Sequence, residues 1–458
     1  MKQFYSIAIS LFIILTAGAQ ISPADSIIIP ADTIYTKKFT RAATQLMTVQ
    51  ALPWSWNYFV RNAKFAKINF KSIGENLKPS SWEWDDNNFK TNQFAHPYHG
   101  NLYFNAFRTN GYSFWQSVPA AFAGSFIWET AGETHHPAVN DFINTSLGGI
   151  SIGEISYRLS RQVVDNRQRG FKRQLMEVCG LLINPMNGLN RIIDGKWGRY
   201  AKNSTAYVPG KLSVEFNYGT RRYSRIIDEL LVKGRNENYG SMDVQYGNPY
   251  YDHDKPFSSY NGRIELGTSD SANFNLVRIE GTLKGWTLQN RDSVAKQVLI
   301  VTMNYDYYHN TAFLFGAQSF NIKLLSRYKS GKRSHILTQV GGGPIILGAV
   351  PDAYLYYGEG RNYDYGPGLN LWVETGYYRK KFLYTMSYRG SWFHTLNGNR
   401  SSYFLHTITQ DAKMAIYKKL SLEFEWGVFV LRGSYKDYPD IKKEYPYFRI
   451  SWAYKFTL

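Results

Sequence analysis

The chain has 458 residues, 17% of them aromatic and only 19% charged, with a formal net charge of +18 and one cysteine, Cys179. One cysteine excludes an internal disulfide. The absence of a recognisable nucleic-acid motif excludes nucleic acid as the reason for the charge, which instead suits loops drawn to anionic headgroups of outer-membrane lipids, lipopolysaccharide included.

Residues 1–19 read as a cleaved secretory signal peptide. Lys2 supplies the positive start, Ile7 to Leu15 the apolar run and Ala17-Gly18-Ala19 the small-residue cleavage site. No cysteine follows that site closely enough for a lipoprotein anchor. Residues 20–80 form a lead-in with no repeat or strong period, in which Trp54 to Asn76 holds a short amphipathic helix.

Residues 81–205 read as a helical, plug-like segment. Gly100 to Phe107 is expected to be extended, and helix begins near the capping residues Thr109 or Asn110. Tyr112 to Glu133 has a helical pattern that Pro119 should kink. His135-His136-Pro137 reads as a turn, and the next helix carries Asn140, Asp141 and Asn144 before Gly148-Gly149 stops it. Gly148, Gly149 and Gly153 allow close packing against the Tyr112–Glu133 helix. Further helices follow over Ile150 to Val164 and Phe171 to Ile183, and from Asn184-Pro185.

From residue 206 to 458 the period changes to two. Leu420, Leu422, Phe424, Trp426 and Val428 alternate with Ser421, Glu423, Glu425 and Gly427, and Leu299 to Tyr307 and Leu369 to Val373 repeat the theme. No run after residue 19 is long and unbroken enough for a transmembrane helix, so strands have to do the crossing. The chain ends on an amphipathic strand, Phe448 to Leu458, of the kind read by the outer-membrane assembly machinery. The expected fold is mainly β with an N-terminal helical segment. It is an antiparallel outer-membrane β-barrel of about 12 strands, in a Gram-negative cell, with a helical plug or a periplasmic helical subdomain.

One series of residues resembles a known family. Trp84-Asp85, Asn92-Gln93, His96-Pro97-Tyr98-His99-Gly100, Trp128-Glu129, Glu133, Asn140-Asp141, Gly148-Gly149, Gly153-Glu154 and Tyr157-Arg158-Leu159-Ser160 are similar in order and spacing to an uncharacterised bacterial outer-membrane family known only as a domain of unknown function. The resemblance implies a compartment and an architecture, and no activity.

Two functions fit these residues. In a binding or transport barrel for a small polar solute, the helices plug the lumen and bond to inward charges such as Glu423, Glu425, Arg449 and Lys455. In an outer-membrane enzyme acting on an envelope lipid or glycan, Glu129 or Glu133 is the general base, His135 or His136 the proton-transfer partner, and Asp141 fixes the imidazole tautomer. His96, His99, Asn140, Asn144, Glu154 and Arg158 are the expected binding residues. A divalent metal held by Glu133, His135 or His136 and Asp141 would suit these ligand types, but no ligand-spacing motif calls for a metal or a cofactor.

Overall fold

The computed structural model describes residues 36–203, 207, 211–268, 274–291, 294–310, 314–358 and 360–457; the signal-peptide reading of residues 1–19 lies outside them. Twelve strands follow one another in the chain. They are β1 (Leu212–Tyr223), β2 (Arg235–Tyr246), β3 (Tyr260–Gly267), β4 (Phe274–Arg291), β5 (Ala295–His309), β6 (Leu314–Gly331), β7 (Ser334–Pro351), β8 (Tyr363–Arg379), β9 (Phe382–His394), β10 (Ser401–Tyr417), β11 (Leu420–Tyr435) and β12 (Ile441–Thr457). Each pairs antiparallel with its chain neighbours, and β12 closes on β1. Closure leaves no edge of unpaired N–H and C=O groups, which is what allows a sheet to stand in lipid.

Side chains alternate across this wall. On β8, Leu369, Leu371 and Val373 point outward and are 58%, 49% and 38% exposed. Asn370, Trp372 and Glu374 point inward, lining the lumen with Arg278 of β4 and Arg389 of β9. The same parity turns Trp426 and Trp452 out and Glu425 and Arg449 in. The alternation read from the sequence is therefore the division between an apolar exterior and a charged interior.

The interior is layered. Toward the end with the longer connections, inward Tyr223, Phe315, Phe393, Tyr403, Phe429 and Tyr447 pack together. Below them Arg221 pairs with Glu237 at 2.9 Å and with Glu265, and Arg449 pairs with Glu265 at 2.9 Å and Glu425 at 3.6 Å. Lys413 holds Glu215 at 2.6 Å and Glu423 at 2.7 Å. The inward charges thus satisfy one another across the lumen, and no helix is needed to pair them.

The helices lie elsewhere. Phe39–Ser55, Phe70–Asn76, His96–Arg108, Phe114–Ala131, Val139–Ile143, Gly149–Val163, Gly170–Ile183 and Pro185–Ile193 form one unit around the His96–Arg108 helix. Its contacts are with outward-facing wall residues. Trp84 stacks on Tyr365 at 5.4 Å, Phe94 meets Phe274 at 4.7 Å, and the Tyr305 hydroxyl donates to the Gln93 carbonyl at 2.5 Å. Tyr363 and Tyr365 share their parity with exposed Leu369, and Tyr305 and Tyr307 alternate with the lumenal Asn304 and Asp306. The unit therefore sits on the outer wall, and the expectation of a lumenal plug is corrected. Aromatic outer-face positions suited to lipid are buried instead under helices, as with Tyr305, Tyr307, Tyr363 and Tyr365 at 0% exposure.

Three local readings also change. Gly100 to Phe107 is helical, not extended, because its apolar and amide residues are enclosed on several sides and so show no clean helical period. Gly148-Gly149 does not stop a helix. A π turn over Asn144–Gly148 runs straight into Gly149–Val163, since these glycines let that helix touch His96–Arg108, where a Cβ on Gly149 would lie 2.5 Å from the Gly100 carbonyl carbon. The Phe114–Ala131 helix is capped by Ser113, whose side chain and that of Gln116 form a reciprocal capping box. The lead-in contains a helix, Phe39–Ser55, that the sequence hid. Its buried face carries Gln45 and Gln50, which bond to Asn190 and to the Gly124 carbonyl.

Candidate functional site

Two places in the fold gather charged groups with something left to do. The first is within the helical unit. The π turn Thr91–Ala95 leads into the helix that starts at His96, the last turn of Phe114–Ala131 carries Glu129, and Val139–Ile143 carries Asp141. One ligand atom from each of His96, Glu129 and Asp141 falls within 4.8 Å of the others. His96 Nε2 is 3.6 Å from Asp141 Oδ2. Neighbours hold the remaining atoms. Asn140 Nδ2 donates to Asp141 Oδ1 at 2.7 Å, the Ala138 N–H donates to Glu129 Oε2 at 2.9 Å, and Thr145 Oγ1 lies 3.4 Å from His96 Nδ1.

Asp85 borders this group. Its Oδ2 accepts from Asn92 Nδ2 at 2.7 Å, and its N–H donates to Asn140 Oδ1 at 2.9 Å. The barrel wall contributes as well, since the Tyr365 hydroxyl accepts from Asn92 and Asn140. Glu129 is 1% and Asp141 3% exposed, and among the described residues no lysine or arginine forms an ion pair with the side chains of Asp85, Glu129, Glu133 or Asp141.

Burial without a basic partner sets the protonation. It pushes the Glu129 carboxyl up to about 8, with the Ala138 N–H opposing and Asp85 adding. Burial and the neighbouring carboxylates raise Glu133 and Asp141 as well. Burial takes His96 down to about 4 against the pull of Asp85. Burial therefore favours the neutral imidazole of His96 and the protonated carboxyl of Glu129, and shifts Glu133 and Asp141 in the same direction as Glu129.

A pH dependence follows. Between pH 4.5 and 8 the folded Glu129 holds a proton that the unfolded chain has released, so stability falls as pH rises through that range. His96 acts oppositely only between 6.5 and 4, where the unfolded chain takes up a proton that the folded imidazole refuses. In EDTA-treated protein, lowering the pH from 8 to 6.5 should raise the melting temperature of the helices, followed at 222 nm. One such carboxyl is worth about 1.4 kcal/mol per pH unit. A flat profile over that window would contradict neutral carboxyls.

The residues expected from the sequence divide clearly. Glu129 and Asp141 converge, Glu133 lies one turn beyond Glu129, and Asn140 orients Asp141. Asn144 reaches the Asn92 carbonyl at 3.2 Å. His135 and His136 do not join them. They are exposed on the turn, with Nδ1 atoms 4.0 Å from Glu133 and 3.6 Å from Glu83, because the Asn76 amide fixes that turn through the Glu133 and His135 carbonyls. His96 takes the imidazole position instead. His99 packs between Tyr103 and Trp128, 4.7 and 5.3 Å away. Glu154 and Arg158 lie apart, tying helices to each other and to the barrel loop at Pro256. Asp85 and Asn92 were visible only through the family resemblance. Tyr363 and Tyr365 carried no signal at all, being more than 200 residues away in the chain.

The second place is the lumen. Below the ionic layer a cavity of about 850 Å³ reaches the end bearing the Lys380-Lys381 and Lys418-Lys419 turns. Its lining holds nine lysines and arginines against four carboxylates. This end carries the tight β6–β7, β8–β9 and β10–β11 turns together with the longer β2–β3 connection.

These features define a class: a closed antiparallel barrel of twelve strands, apolar outside and charged inside, is an integral outer-membrane protein. Residues 81–186, the part of the helical unit that carries the cluster, match the family model described as a domain of unknown function (DUF3943). Among curated proteins none matches the chain. Solved structures similar to it include the KdgM porin, at 8% identity over 53% of this chain and 99% of that one, with a TM-score of 0.25. An outer membrane channel from Pseudomonas putida F1 is 10% identical over 54% and 97%, with a TM-score of 0.28. The outer membrane channel DcaP of Acinetobacter baumannii is 8% identical over 54% and 96%, with a TM-score of 0.24.

Proposed function

We propose that this barrel binds a small polar anion in its basic vestibule and admits it to the lumen when the ionic and aromatic layers above part. The observation that supports this reading is the vestibule itself, a space of about 850 Å³ with nine basic side chains against four carboxylates at its mouth and walls. Field lines from such a ring are focused by the low-dielectric wall and raise the local anion concentration. The wall's own side chains, and not a helix, act as the plug. An enzymatic reading requires an open cleft at the Glu129, Glu133 and Asp141 cluster, and burial of Glu129 and Asp141 weighs against it.

Citrate is a suitable probe. Calorimetry on the detergent-solubilised protein at low salt should show saturable binding that weakens steeply with ionic strength. Changing Lys380, Lys381, Lys418 and Lys419 together to Asn, a residue that accepts the positive φ of Lys380 and Lys418, should lower the affinity about tenfold or more. Salt-independent binding, or no binding by the native protein, would remove the basis of the proposal.

A further inference from the structure

We infer that His96, Glu129 and Asp141 form a binding site for one divalent transition-metal ion, of the zinc or manganese type, on the outer wall of the barrel. Three donors from three different backbone segments bring ligand atoms within 4.8 Å of one another. Ligand atoms about 2 Å from a single ion lie about 3–4 Å apart, so small side-chain movements bring all three donors onto one ion. One imidazole and two carboxylates suit a borderline cation and leave a coordination position open.

The surroundings have the form of a metal site's outer shell. Each donor group uses one polar atom on a neighbour and keeps another for the centre. Asp141 Oδ1 takes the Asn140 amide, Glu129 Oε2 takes the Ala138 N–H, and His96 Nδ1 faces Thr145 while Nε2 faces Asp141. Such partners orient ligands and select the imidazole tautomer.

A second observation is independent of the acids. Asn92, whose amide nitrogen donates to Asp85, and Asn144, whose amide nitrogen donates to the Asn92 carbonyl, are fully buried, and their amide oxygens have no hydrogen-bond partner. Asn144 is three residues from Asp141 on the same helical face, and Asn92 already gives its amide hydrogens to Asp85 and the two tyrosines. These two amide oxygens are acceptors without a donor, and a cation with its bound water supplies one. The contrast within the same chain is instructive. Asp411, Glu423 and Glu425 also converge, inside the lumen, but there Lys413 and Arg449 already supply the positive charge. The partly exposed edge of His96 provides the way in.

The test uses the full-length protein in detergent, stripped with EDTA and dialysed. Zinc titrated by calorimetry should bind with one equivalent and raise the melting temperature of the helices at 222 nm. Cobalt should give visible d–d bands of mixed nitrogen and oxygen ligation, a readout that requires no variant. His96→Gln and Asp141→Asn should each weaken zinc at least a hundredfold, and the isosteric Glu129→Gln should do so with the fold retained. Asp411→Asn should leave zinc binding unchanged. Absence of stoichiometric binding by zinc, manganese and cobalt to the folded native protein overturns the inference, as does zinc binding that survives Glu129→Gln and Asp141→Asn.

Discussion

Glu154→Ala is expected to melt the helical unit while the barrel stays closed. The Glu154 side chain has no exposed surface, and it accepts from Arg108 Nε at 2.7 Å, Arg108 Nη2 at 3.1 Å and Arg158 Nε at 2.8 Å. Removing it leaves two guanidinium groups in a largely buried place with their carboxylate gone. Breaking a buried pair in this way costs about 3–5 kcal/mol, whereas the pair itself contributes far less when compared with an apolar replacement. Arg158 also donates to the Pro256 carbonyl in the β2–β3 connection at 2.6 Å, so the loss should detach the unit from the wall as well. The measurement is the loss of signal at 222 nm on heating beside the heat-modifiable gel mobility of the barrel. A native helix melt in Glu154→Ala would show that packing alone holds these helices.

The second large effect is expected from Gly100→Ala. A Cβ there would stand 1.8 Å from the Thr145 carbonyl oxygen, a backbone atom that has no rotamer to move into. The two central helices would have to separate, at the upper end of overpacking costs, about 3 kcal/mol. Because His96 begins the same helix and Asp141 precedes Thr145 by one turn, the separation would also pull the cluster apart. Gly74→Ala is the matched control. It lies in the Phe70–Asn76 helix with nothing within 4 Å of the added carbon, and alanine there should stabilise by about 0.5–1 kcal/mol. Equal melts for the two variants would contradict the close approach.

The two regions of the chain differ in how openly they display their structure. The barrel was legible because each of its residues faces one of two solvents, lipid or lumen, and period two records that choice residue by residue. Leu420 to Val428 shows it, and so does the terminal strand from Phe448. The count of twelve strands followed from the same alternation. In the helical unit the two sides of a helix are not so different. His96–Arg108 buries Asn101 and Asn105 along with Tyr103 and Phe104, so amides stand where a core pattern would show leucine, and the segment looked extended. Gly148-Gly149 had the form of a helix stop and served instead as a contact surface, a distinction that depends on what lies across from it.

Chain order and composition by themselves determined that strands form the C-terminal region and that they alternate as a membrane wall does, while the convergence of Glu129 with Asp141 belonged to only one of the two readings the sequence left open. Only the tertiary structure decided which histidine stands beside them, since His135 and His136 are near in sequence but a turn holds them outward, whereas His96 arrives through the packing of its helix against Gly149. It also decided on which side of the wall the helices sit. Tyr305, Tyr307, Tyr363 and Tyr365 have the outward parity of lipid-facing residues, and nothing local distinguishes a tyrosine that meets lipid from one that meets another part of the same chain. That information resides in the pairing of surfaces more than 200 residues apart, where shape and hydrogen-bond complementarity, and not local pattern, select the partner.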